Sequence, residues 1–163
     1  MTDQIHQVYL ANAVLALAAA ILFYVALTDL KHYRIRNEVI AVLGGLFVLH
    51  AFLSGRWPGI PWNVGLAFLI FVVMLYFYSQ NLMGGGDVKL LTVAFLWVGI
   101  DCALPFATLL SLFAGIHAGA GKLGWAKLHQ AGEDKRSRIA FAPAVAAALI
   151  GTFMLGCLAP VSR

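Results

Sequence analysis

Apolar runs long enough to cross a lipid bilayer, repeated along the chain, are the feature that most limits what it can fold into. Six apolar runs occur, at about 8–28, 38–53, 62–79, 88–100, 103–121 and 139–159; the run 88–100 gives only about 20 Å of helix, which suggests that its first residues begin below the membrane surface. A helix needs about 20 apolar residues to cross roughly 30 Å of hydrocarbon. Inside lipid it also satisfies its own backbone N–H and C=O groups. The expected fold class is therefore all-α: a polytopic membrane helix bundle of about six transmembrane helices, with residues 1–163 forming a single integral membrane domain.

Composition agrees with this expectation. The chain is 62% hydrophobic and only 11% charged, whereas soluble domains carry about 25% charge. That balance excludes an ordinary water-soluble fold, a disordered tail and a nucleic-acid module, so the partner implied at this stage is the lipid bilayer. The first run contains Ala16-Leu17-Ala18, which is similar to a signal-peptidase site. Only Asp3 and His6 precede it and the apolar stretch continues to Thr28, so the segment is expected to be retained.

Basic residues orient the bundle. Lys31, Arg34 and Arg36 follow the first run, and Lys89 stands at the edge of the third loop. Lys122, Lys127, Lys135, Arg136 and Arg138 lie in the fifth, so these three loops hold nine of the 11 Lys and Arg residues. The positive-inside rule puts them in the cytoplasm and both termini outside. The formal charge of +4 then reflects loop placement rather than an anionic partner. Trp57-Pro58-Gly59-Ile60-Pro61-Trp62 is a Pro/Gly turn suited to the membrane interface. Gly115-x-x-x-Gly119 has the pattern of a close helix approach. Cys102 and Cys157 show no CxxC spacing and read as small packing residues, with neither a zinc site nor a disulfide indicated.

Only seven acidic residues occur. Two of them, Asp29 at the end of the first run and Asp87 at the start of the fourth, fall where an ionisable group is expensive and by default functional. By loop parity both stand at the cytoplasmic end. Two neighbouring carboxyls share a proton and titrate as a unit, which is the chemistry of an aspartic protease: one activates water, the other protonates the carbonyl oxygen. Taken singly, Asp87 is equally a helix N-cap and Asp29 a solvated charge ending a span. The glycines before Asp87, Gly84-Gly85-Gly86, permit unusual backbone angles and close approach of a substrate backbone, or form a flexible loop. Asn37 and Asn81 fit substrate positioning or turn formation, and Lys89 fits the active-site region or snorkelling to headgroups. Tyr76 and Tyr78 read as interface anchors. His32, His50, His117 and His129 lack metal-ligand spacing, so no metal site is expected.

Gly84-Gly85-Gly86-Asp87 is a GxGD motif followed by Val88-Lys89-Leu90. Asp29 is followed by Arg34-Ile35-Arg36-Asn37, and Ile139-Ala140-Phe141-Ala142-Pro143-Ala144 comes downstream. From about Thr28 to Ala148 the chain resembles the type IV prepilin peptidase family of intramembrane aspartic proteases. The resemblance implies that Asp29 and Asp87 are catalytic and that residues 1–163 form a peptidase domain. It also implies removal of a short leader from prepilin-like substrates at the cytoplasmic face of the bacterial inner membrane, in company with pilus assembly or secretion machinery. No cofactor is implied. The chain is more similar to the short, peptidase-only form found with tight-adherence (Flp-type) pili, without N-methyltransferase activity, than to bifunctional members with paired CxxC motifs. Arg36 and Ala140 stand where the family often has proline, which bears on substrate fit or rate. The alternative from another class is a small proton- or cation-coupled transporter using the same carboxylates; a weaker third is a non-catalytic assembly factor.

Overall fold

A computed structural model of the chain describes residues 2–32, 35–122 and 141–157. Arg34, Lys127, His129, Lys135, Arg136, Arg138, Ile139 and Ala140 lie outside the described residues, as do the side chains of His117 and Lys122. The described part is helical without a strand: α1 (Thr2–His32), α2 (Asn37–Leu53), a 3-10 turn (Trp57–Gly59), α3 (Ile60–Ser79), α4 (Gly85–Val98), α5 (Ala103–Lys122) and α6 (Ala142–Met154). Each apolar run of the sequence thus becomes a helix. Two of them, His6–His32 with 27 residues and Trp57–Ser79 with 23, are long and apolar enough to cross a membrane, and Asn37–Leu53, Ala103–Ile116 and Ala142–Met154 are shorter apolar helices.

Helices α4 and α6 form the middle of the bundle. Helix α4 packs on α2, α3 and α6, and α6 also packs on α1 and α5. Small residues along a helix face let two backbones approach closely. Ala11 and Ala18 on α1 and Ala142, Ala144, Ala146 and Ala148 on α6 supply such surfaces, all of them buried. Trp97 of α4 ties three helices together at the far end. Its Nε1 donates to the Leu43 carbonyl at 3.0 Å, and its ring meets those of Phe47, His50 and Phe153. Helix α3 lies on α4 with only Ala67 buried and turns Phe68, Leu69, Val72 and Tyr76 outward.

Two expectations about packing need correction. A Cβ on Gly115 or Gly119 would meet nothing within 4 Å among the described residues, so the GxxxG pattern does not mediate a close approach there. The tight contact between α5 and α6 lies elsewhere, where Leu109 stands 3.1 Å from the place a Cβ would take on Gly151. Cys102 and Cys157 are not merely packing residues; they form a disulfide. Helix α5 begins where its antiparallel neighbour α6 ends, and this brings together cysteines that are 55 positions apart.

Candidate active site

Asp29 belongs to a helical stripe. The buried residues of α1 are Ala11, Val14, Ala18, Leu22, Val25 and Asp29, recurring every three or four positions on one face. The carboxyl therefore points into the bundle with 5% of the residue exposed. Helix α1 continues to His32, so Asp29 is not a solvated charge that stops a span. Its Oδ2 accepts a 3.2 Å hydrogen bond from the backbone N–H of Ala142, the first residue of α6.

Asp87 stands on the corresponding face of α4. Leu91, Ala94 and Val98 continue its row inward, all buried, while Asp87 itself is half-buried in the first turn. The N-cap of α4 is Gly84, whose carbonyl accepts from the amides of Asp87 and Val88, so Asp87 is not the capping residue. Asp29 is bonded to the start of α6, which packs on α4, and Asp87 lies in the first turn of α4. Residues 58 positions apart in sequence thus lie at the same end of the bundle.

The glycine triplet works by what it lacks. None of Gly84, Gly85 and Gly86 has a positive φ, so the run does not serve to reach left-handed backbone angles. A Cβ on Gly84 would lie 3.0 Å from Asp87 Oδ2, and one on Gly86 would lie 3.3 Å from the side chain of Ile35. The first absence leaves room for the carboxyl, and the second lets the Ile35 side chain pack against the start of α4. Gly85 faces the ring of Tyr78 at ordinary contact distance, 3.4 Å from a Cβ, which gives Tyr78 a packing role beside the site.

Asn37 and Lys89 are brought together as well. Lys89 Nζ donates to Asn37 Oδ1 at 2.9 Å, joining the first residue of α2 to the first turns of α4. Arg36, the N-cap of α2, pairs instead with Glu38 at 3.2 Å on the surface. Asn81 stays out of the site. It takes φ 57 in the turn after α3, a conformation asparagine tolerates.

Sequence reasoning missed the amide of Ala142 and the packing of Ile35. The stretch holding Ala142 was visible as a motif, but a backbone donor carries no side-chain label. A crevice beside the site, lined by Tyr24, Val25, Thr28, Ile35, Arg36 and Val39, holds only about 10 Å3.

A model of the type IV leader peptidase family matches residues 16–120. The chain belongs to that family. Type IV leader peptidases are proteases, which favours proteolysis over the transporter alternative. The matched segment carries Asp29, the glycine triplet and Asp87, while α6 and its contact to Asp29 lie beyond it. No curated protein and no solved structure gives a match.

Proposed function

We propose that this type IV leader peptidase is an intramembrane aspartic endopeptidase that removes the leader from prepilin-like substrates. The observation that carries the reading is the placement of Asp29 and Asp87, two acidic groups from separate helices, at the same end of the bundle. Asp29 takes the base's part, since the Ala142 N–H holds its Oδ2 as an acceptor; Asp87 carries the proton the pair shares. Water bound between them gives a proton to Asp29 as its oxygen attacks the scissile carbonyl, and Asp87 protonates the carbonyl oxygen. When the tetrahedral adduct collapses, Asp29 passes its proton to the leaving nitrogen and Asp87 regains one from the adduct's hydroxyl. The groups return to their starting state without a metal or cofactor in the cycle.

In this proposal six helices span the inner membrane with the aspartates at the cytoplasmic end. Two observations support that orientation. Basic residues concentrate in the loops at the aspartate end, and the Cys102–Cys157 disulfide lies at the opposite end, where an oxidising compartment would preserve it. The substrate's own apolar helix would lie against the bundle with its leader junction at the aspartates, and the pilus or secretion machinery would receive the product. The peptidase-only reading, without N-methylation of the new terminus, rests on the motif content of the sequence. Co-expression with a candidate prepilin tests the proposal: a mobility shift and a mass equal to leader loss are expected, with an unmethylated N-terminus. An unprocessed substrate in the presence of folded enzyme would refute it.

A further inference from the structure

A cavity of about 220 Å3 opens at the end of the bundle away from Asp29 and Asp87, lined among others by His50, Arg56, Asn63, Trp97 and Asp101. Three features of its wall call for a ligand of mixed charge. His50 is 2% exposed, yet its Nε2 has no hydrogen-bond partner, and buried polar groups are nearly always paired. Arg56 uses Nη1 on the Cys157 carbonyl at 3.2 Å, which fixes the guanidinium at the wall with further N–H donors available. Asp101 also lines the cavity, and it does not pair with Arg56: among the described residues the ion pair is Arg36–Glu38.

The depth of the cavity follows from its neighbours. Trp57 and Trp62 adjoin its lining residues Pro58 and Asn63 in sequence and are 58% and 71% exposed. Tryptophans presented this way sit at headgroup level. At roughly 30 Å3 per water volume, the space has room for about seven non-hydrogen atoms, the scale of a small polar headgroup that can project partly through the open mouth. We infer that this cavity binds the phosphoethanolamine headgroup of a zwitterionic phospholipid, with phosphate oxygens on Arg56 and His50 Nε2 and the primary ammonium on Asp101. A net anionic headgroup would meet the uncompensated Asp101 carboxylate. A phosphocholine has no N–H with which to bind it. The inference rests on the membrane-spanning part of the proposed function and not on its catalytic part.

The test uses full-length protein, purified in detergent and stripped of lipid, with isothermal titration calorimetry as readout. The probes are dihexanoyl phosphatidylethanolamine, its phosphatidylcholine and phosphatidylglycerol counterparts, and inorganic phosphate. Phosphatidylethanolamine is expected to bind about tenfold more tightly than the other lipids, a ratio of the size one charge-assisted hydrogen bond gives. Asp101→Asn, at an exposed position, removes that preference, and Arg56→Gln weakens binding of all three lipids. Equal binding of the lipids, an unchanged preference in Asp101→Asn, or inorganic phosphate competing as well as the lipid would each overturn the proposal; the last would make it a free-phosphate site.

Discussion

The backbone amide of Ala142 donates to Asp29 Oδ2 across 113 residues of sequence, closing the carboxylate end of the bundle with the first turn of α6. The bond is buried, so it bears on stability as well as on chemistry. Asp29→Asn keeps an oxygen that can accept from Ala142, whereas Asp29→Ala leaves that N–H without a partner, at about 1–3 kcal/mol. The expected result is a Tm for Asp29→Asn near that of the parent protein and a drop of several degrees for Asp29→Ala. Equal Tm values for the two variants would show that the contact does not support the fold.

The bond from Lys89 to Asn37 couples α2 to the helix that carries Asp87. Removing it by Lys89→Met or Asn37→Ala loosens the two elements that flank the site. Cleavage rates should fall about five- to thirtyfold, or about 1–2 kcal/mol, at and below the lower end of the range for a hydrogen bond to a charged group because this bond is exposed. Asn37→Asp keeps an acceptor and should retain most of the activity. Initial rates on one prepilin substrate check this, and the same loss in Asn37→Asp as in Asn37→Ala would exclude the bond as the cause.

The three glycines predict a graded series. Gly84 has φ −76 and ψ 146, angles open to alanine, so Gly84→Ala tests space alone. Its Cβ would stand 3.0 Å from Asp87 Oδ2, against 3.3 Å from Ile35 for Gly86→Ala and 3.4 Å from Tyr78 for Gly85→Ala. Activity should therefore be lost most at Gly84, less at Gly86 and least at Gly85, with far-ultraviolet circular dichroism unchanged. Any other order would mean that the triplet serves backbone freedom after all.

The disulfide gives a test of orientation that does not depend on catalysis. In intact spheroplasts Cys102 and Cys157 should resist an impermeant maleimide until a reductant is added outside, and then both should label. Labelling that requires lysis would place the disulfide end in the cytoplasm and reverse the proposed topology.

What could be read from the sequence followed from scarcity. Asp29 and Asp87 were legible because an acidic side chain beside an apolar run has few inexpensive explanations. The helices were legible because their apolar runs are long. Whether Asp29 faces solvent or core depended on its phase relative to Ala18, Leu22 and Val25, which only the packed bundle reveals. The disulfide was hidden for a related reason: 55 intervening positions say nothing of proximity until α5 and α6 are known to be antiparallel neighbours. The glycine triplet looked like a source of unusual backbone angles and proved to be a matter of missing Cβ atoms, since the sequence cannot show what stands opposite each one.

The central claim is that Asp29 and Asp87 together activate one water for peptide hydrolysis. Purified parent protein, Asp29→Asn and Asp87→Asn should each be incubated with a prepilin substrate and the released leader quantified by mass spectrometry. The proposal predicts leader release by the parent and a loss of at least about 1,000-fold in each variant, as expected for removing a group that makes or breaks bonds in the transition state. Substantial leader release by either folded variant would contradict it.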